Sequence, residues 1–358
     1  MRKLLDKCYY AIIILAIVFV SACSSQPASD TKSGAGAAEN LNKAKEIRIG
    51  YQVIPNAELL AKSLGLYQKK FEAEGIKVHL RQFDSARDVN TAMTAGGIDI
   101  GLIGSSSVAT GVAQKLPYQV IWIHDVIGDN EALVVKKGSG IKSIKDVKGK
   151  KIAVPFGSTT HYSFLSALRA NKIDQKEVNI LDMQPQDMLA AYKQGQIDGG
   201  YVWYPILGKM MEDGEIVVTS RDLAQDGILT ADLCVANTSF IKDNPDLVQK
   251  YIEVLDEAVK FYRSSKAEAV KAMGKELNLP ESEAELYMSQ LIWLDASEQA
   301  GYQYLGTQDN KGRFASALKD TGEFMVTQKT ISSAPDLDAY KEAIQAQFVS
   351  KVAEAFKK

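Results

Sequence analysis

One six-residue pattern occurs twice in this chain, and no other feature restricts the possible fold as much. Thr94 to Ser106, TAGGIDIGLIGSS, and Lys193 to Pro205, KQGQIDGGYVWYP, both carry Gly-x-Ile-Asp-x-Gly ahead of an apolar run. In both places the pattern closes a helix-like segment, where Gly suits the left-handed residue ending a helix and Asp suits the turn. Each copy sits at the same point in a series of strand-like and helix-like segments. EIRIGYQ, KVHLRQF, IDIGLIG and YQVIWIHDV form the first series, with AELLAKSLGLYQKKFEAEG as an intervening amphipathic helix. EALVVKK, KKIAVPF, VNILDM and IDGGYVWYP form the second. Such alternation argues for βα units around mostly parallel sheet, hence an α/β protein. Two series argue for two similar lobes.

From Asn244 the pattern turns helical: NPDLVQKYIEVLDEAVKFYRSS, then SKAEAVKAMGKELN, then PESEAELYMSQLIWL. A helix-rich tail supplies no third sheet and is expected to pack back on lobe one. The chain then passes between lobes twice, near NEALVV (Asn130 to Val135) and ADLCVAN (Ala231 to Asn237), which permits a hinge. The expected division is lobe one over 45–131 plus 236–358 and lobe two over 132–235. A body of about 310 residues is enough for two lobes.

The start of the chain reads as an export signal over residues 1–22. Arg2, Lys3 and Lys7 precede the apolar run AIIILAIVFV, and VSAC then ends at Cys23. That run is shorter than the roughly 20 residues a permanent span needs. Residues 23–44, rich in Ser, Ala and Gly, are expected to be a flexible tether. Losing the signal lowers the formal charge from −2 to about −4, which argues against nucleic acid as a partner. Of the three cysteines only Cys234 then remains in the body, as a small buried hydrophobe, so no internal disulfide is expected. His and Cys lack metal-ligand spacing.

FDSARD, GLIGSS, NEALVVKK, AVPFGSTTHYS, IDGGYVWYP and LTADLCV resemble, in this order, the solute-binding proteins of bacterial ABC importers in the taurine, alkanesulfonate and nitrate group. STTHYS with YVW and a downstream Asp is similar to the taurine-binding branch. The resemblance implies a two-lobed type II periplasmic-binding-protein fold, each lobe a mixed sheet flanked by helices. It implies capture of taurine, or of another aliphatic sulfonate, nitrate or a thiamine-precursor pyrimidine, for delivery to a permease with its ATPase subunits. It implies no cofactor and a monomeric chain. VSAC resembles a lipobox, which implies a lipid on Cys23 and attachment to the outer face of the cell membrane by that lipid alone; the branch often exports a soluble protein instead.

Taurine is a zwitterion, so a site must hold a sulfonate, pair an ammonium and leave little empty volume. Ser158, Thr159 and Thr160 lie at an expected helix start, where backbone N–H groups, the dipole and hydroxyls suit the sulfonate. Ser105 and Ser106 offer a similar set from the other lobe. The alternative for both clusters is ordinary helix capping. Asp232, ahead of Glu131, is the candidate partner for the ammonium; either acid is alternatively a solvated loop residue. Trp203 is expected to cover the carbon arm, or else to be a core aromatic. Gln52 and Asp84, at the ends of the first two strands, are expected one layer further out. His161 beside Ser158 and Ser163 raises acyl-transfer chemistry, but no GxSxG elbow is present, and a binding protein rather than an enzyme is expected.

Overall fold

The computed structural model describes residues 44–355. The expected signal, Cys23 and the tether up to residue 43 lie outside the described residues. Ala44 already belongs to the body, its N–H donating to Asn244 Oδ1 at 3.0 Å.

Eleven strands among the described residues build two sheets: β1 (Glu46–Tyr51), β2 (Lys77–Gln82), β3 (Ile100–Gly104), β4 (Tyr118–Ile127), β5 (Glu131–Lys136), β6 (Lys151–Val154), β7 (Asn179–Asp182), β8 (Gly199–Trp203), β9 (Gly214–Thr219), β10 (Ala231–Asn237) and β11 (Leu291–Ile292). The first sheet runs β11-β4-β10-β3-β1-β2 and the second β7-β6-β8-β5-β9. Each has a parallel trio, β2-β1-β3 or β7-β6-β8. Against it lies an antiparallel strand, β10 or β5, that came from the other sheet's side of the chain.

The repeated pattern does the same work in both sheets. Gly96 and Gly195 take positive φ, +67° and +70°, to end their helices. Asp99 Oδ2 then accepts the N–H of Arg48 in β1, and Asp198 Oδ2 accepts that of Lys151 in β6, both at 2.8 Å. Each aspartate thereby ties the last strand of its sheet's parallel trio to the first strand of that trio.

The second crossing lies earlier than expected. All of β10 pairs with β3 and β4, so a boundary at 235/236 would cut a first-sheet strand, and Asp232 belongs with lobe one. Glu131, expected to end lobe one, opens β5 and pairs with Trp203 across the second sheet. The composition of ADLCVAN marks a buried strand but not which sheet takes it.

Burial follows strand alternation. Ala132, Val134 and Val202 face an apolar cluster continuous with the first sheet, whereas Leu133, Val135 and Tyr201 face a second cluster. The tail covers more than lobe one: Phe324 and Met325 of helix Phe314–Thr327 enter that second cluster, with Phe324 edge-on to Tyr162 at 5.0 Å.

Candidate ligand-binding site

A small cavity lies between the two sheets, lined by Gln52, Ile54, Ala86, Gly104, Glu131, Ser158, Thr159, Trp203 and Asp232. Three helices begin on its wall. Ala86 opens helix Ala86–Thr94, Gly104 caps helix Ser105–Ala113, and Ser158 caps helix Thr159–Ala170. The first N–H groups of a helix lack internal acceptors and carry the positive end of its dipole. The amides of Ala86, Arg87, Thr159 and Thr160 meet no acceptor among the described residues. These helix starts therefore suit an anion.

The hydroxyls act differently from expectation. Ser158 Oγ lies 2.6 Å from Pro155 O and 2.7 Å from Thr160 Oγ1, and accepts the His161 N–H. Ser158 and Thr160 thus stabilise their own loop, as capping residues do. Thr160 is fully buried and does not line the cavity. Thr159 Oγ1 donates to Glu131 Oε1. The donors left over at this helix start are backbone amides, not side chains. From the other lobe Ser106 and Ser107 donate to the carbonyl of Gly157, at 3.3 and 2.8 Å, and so join the two lobes. Ser106 is therefore close to the cavity but not on its wall, and Asp84 is exposed to solvent away from it.

The same lining also carries two acids. Asp232 and Glu131 line the cavity and are almost wholly buried. Glu131 Oε2 also accepts from Ser220 at 3.3 Å, so both its oxygens are held by hydroxyls. Burial raises Asp232 to about 7. Burial and the nearby Asp232 raise Glu131 to about 8, against the two hydroxyl bonds. Neither acid has a Lys or Arg partner among the described residues. Trp203 and Ile54 supply apolar wall, and Gln52 is held in place by donating to Leu102 O at 3.0 Å. No group of three or more His, Cys, Asp or Glu among the described residues is arranged to hold a metal ion.

Catalytic use of Ser158 and His161 has no geometric support. The His161 Nδ1 accepts from Gly157 N–H at 3.2 Å, its ring stacks on Phe156 at 4.5 Å, and the Ser158 hydroxyl is engaged by Pro155 O and Thr160 Oγ1 instead. Burial lowers its pKa to about 4, so the ring is neutral.

Sequence reasoning missed Ile54, Ala86, Gly104 and, behind Asp232, Asp125. Ala86 and Gly104 have no functional side chain and enter through backbone position. Asp125 had a signal: His124-Asp125 is a polar pair inside an otherwise apolar strand.

A family profile described as NMT1/THI5 like matches residues 57–269, more than half of the chain. The taurine-binding periplasmic protein of Escherichia coli K12 is 29% identical over 313 residues, which cover 86% of this chain and 93% of that protein. Among solved structures, the alkanesulfonate-binding protein SsuA of Xanthomonas axonopodis pv. citri bound to MOPS superposes with a TM-score of 0.70 at 19% identity, covering 85% of this chain and 99% of its own. The periplasmic aliphatic sulphonate binding protein SsuA of Escherichia coli superposes at 0.65 and 20% identity, covering 83% and 92%.

Proposed function

The chain belongs to the NMT1/THI5-like family, and from that premise we propose that it is the extracytoplasmic solute-binding component of an ABC importer, which encloses taurine between two lobes and delivers it to the permease. One observation carries the choice of ligand: three helix starts and two carboxyl groups line one small cavity. A molecule anionic at one end and cationic at the other matches that wall, whereas nitrate or a plain sulfonate leaves the acids uncompensated. The relative named for taurine supports the same reading.

Magnitude agrees with enclosure. At best roughly 1.5 kcal/mol per heavy atom is available to a tiny ligand, so taurine is limited to about 10 kcal/mol, a dissociation constant of roughly tens of nanomolar. Only a closed site with charge-assisted contacts at both ends approaches that limit. We place the lobes at residues 44–127 with 231–355 and at 131–220, and a lipid on Cys23 as the membrane attachment.

Calorimetry of the purified protein with taurine, ethanesulfonate, nitrate and betaine tests the ligand. Taurine is expected to bind at least tenfold more tightly than ethanesulfonate, from the value of one charge-assisted hydrogen bond, about 1.5–3 kcal/mol. Asp232→Ala is expected to remove most of that preference. Ethanesulfonate or nitrate binding as tightly as taurine would overturn the assignment.

A further inference from the structure

Behind Asp232 a second carboxyl group stands where no ligand reaches. Asp125 on β4 is directly opposite Asp232 on β10 across an antiparallel pair, where side chains of facing residues meet. The ladder shifts register beside them: Asp232 faces Asp125, but Leu233 faces Ile123, leaving His124 as an extra residue. Such a bulge re-aims the side chains around it. Asp125 is fully buried and absent from the cavity wall, whereas Asp232 is on it. Asp125 Oδ2 accepts from Asn56 Nδ2 at 3.0 Å, and its Oδ1 meets no protein donor.

Two carboxylates cannot share so buried a place in fully ionised form. An ionised Asp125 would leave one oxygen buried without a donor, whereas a protonated one turns that oxygen into a donor for Asp232. We propose that Asp125 is a positioning residue that remains a neutral carboxylic acid and, through the hydrogen bond it donates, aims the charge of Asp232 at the ammonium group of the bound ligand. The inference rests on the ammonium-bearing ligand proposed above and adds the residue that sets the preference for it.

The surroundings agree. Asn56, which caps helix Ala57–Ser63, and Glu58 within that helix approach the pair, as does Glu131 from β5, and His124 is the chain neighbour of Asp125 on β4. Burial and Asp232 hold Asp125 well above the usual carboxylate range, against the Asn56 bond. Glu58 is raised to about 8 by burial, against its bond from Tyr251, and burial lowers His124 to about 3. None of them brings a positive charge to the pair, so the proton has no electrostatic reason to leave.

Two measurements on the full chain test this. Infrared difference spectra of native protein against Asp125→Asn at pH 8 are expected to show a carboxylic-acid C=O stretch that the variant lacks. Its absence from the native protein overturns the inference, whatever ligand binds. Calorimetry with taurine and ethanesulfonate gives the second readout. Asp125→Asn, which keeps a donor towards Asp232 and an acceptor for Asn56, is expected to stay within about threefold of native for taurine. Asp125→Ala is expected to weaken taurine at least about tenfold and ethanesulfonate less than about threefold. Thermal melts identify a variant that fails to fold, and the native infrared band decides the question in that case. Equal losses for both ligands, or no rescue by Asn, would overturn the positioning role while leaving the taurine reading intact. Failure of the native protein to bind either sulfonate would instead overturn the taurine reading.

Discussion

Glu58, Glu131 and Asp232 are buried near one another with folded-state pKa values of about 8, 8 and 7, all raised chiefly by burial. In the unfolded chain they titrate near 4. Between those limits the native state binds more protons than the unfolded one, so stability falls as pH rises. The stabilisation is complete below about pH 4 and lost as pH passes through about 7 to 8. A bound ammonium acts in the opposite direction, because it favours the ionised acids. Scanning calorimetry is therefore expected to show the ligand-free protein melting lower at pH 8 than at pH 5. The upward shift caused by saturating taurine is expected to grow over the same interval. A taurine shift independent of pH would contradict this account of the acids.

Helix starts carry the anionic end of the site, and their convergence depends on one residue without a side chain. Gly104 joins β3 to the helix that follows, and a Cβ placed there would lie 2.7 Å from Thr159 Cγ2 of the opposite lobe. Its φ of −70° and ψ of 155° are open to any residue, so backbone strain does not require the glycine. Close approach does. Gly104→Ala is expected to leave the melting temperature of the ligand-free protein within a few degrees, since lobes held apart tolerate the methyl. It is expected to weaken ligand binding roughly tenfold, because overpacking of this kind costs about 1–3 kcal/mol. Unchanged affinity by calorimetry would show that this contact is not needed for capture. At this scale β1 to β8 were legible from short apolar runs between turn residues. β11, of two residues, has too few positions to show a period. The start of helix Ala86–Thr94 went unrecognised as an anion site because Ser85 makes no capping bond and Ala86 has no polar group.

The two lobes meet beyond the cavity as well. Arg87 Nη2 reaches both oxygens of Asp182, at 2.8 and 2.9 Å, and lies 3.3 Å from Phe156 O. With Ser106 and Ser107 on Gly157 O, this pair links helices of the first lobe to the end of β7 and the Gly157 loop of the second. Arg87 and Asp182 are 47% and 37% exposed, so solvent screens the pair and its contribution is about 0–1 kcal/mol. Arg87→Ala is expected to weaken taurine by no more than about fivefold, mostly through faster release. Stopped-flow dissociation at low and high salt checks this: the native rate is expected to rise with salt towards that of the variant, and a salt-independent native rate contradicts it. The helix Phe314–Thr327 bridges the lobes away from the cavity through Phe324, which packs on Tyr162 with the Arg169 guanidinium 4.9 Å from its ring.

By itself the sequence determined the α/β class, the two-sheet repeat and the stretches from which most of the cavity is built. Those are local properties: periodicity reports burial, and Gly and Asp report how a helix ends. Tertiary structure alone decided the partners. Asp232 and Glu131 read alike as crossing-point acids, yet one belongs to a first-sheet strand opposite Asp125 and the other opens β5 between two hydroxyls. Ser158 and Thr160 read as ligand donors, yet their hydroxyls are taken up by the loop, and the amides beneath them are left for the anion. A hydrogen bond or a shared proton depends on which groups meet, and residues about 100 positions apart meet only when both sheets are in place.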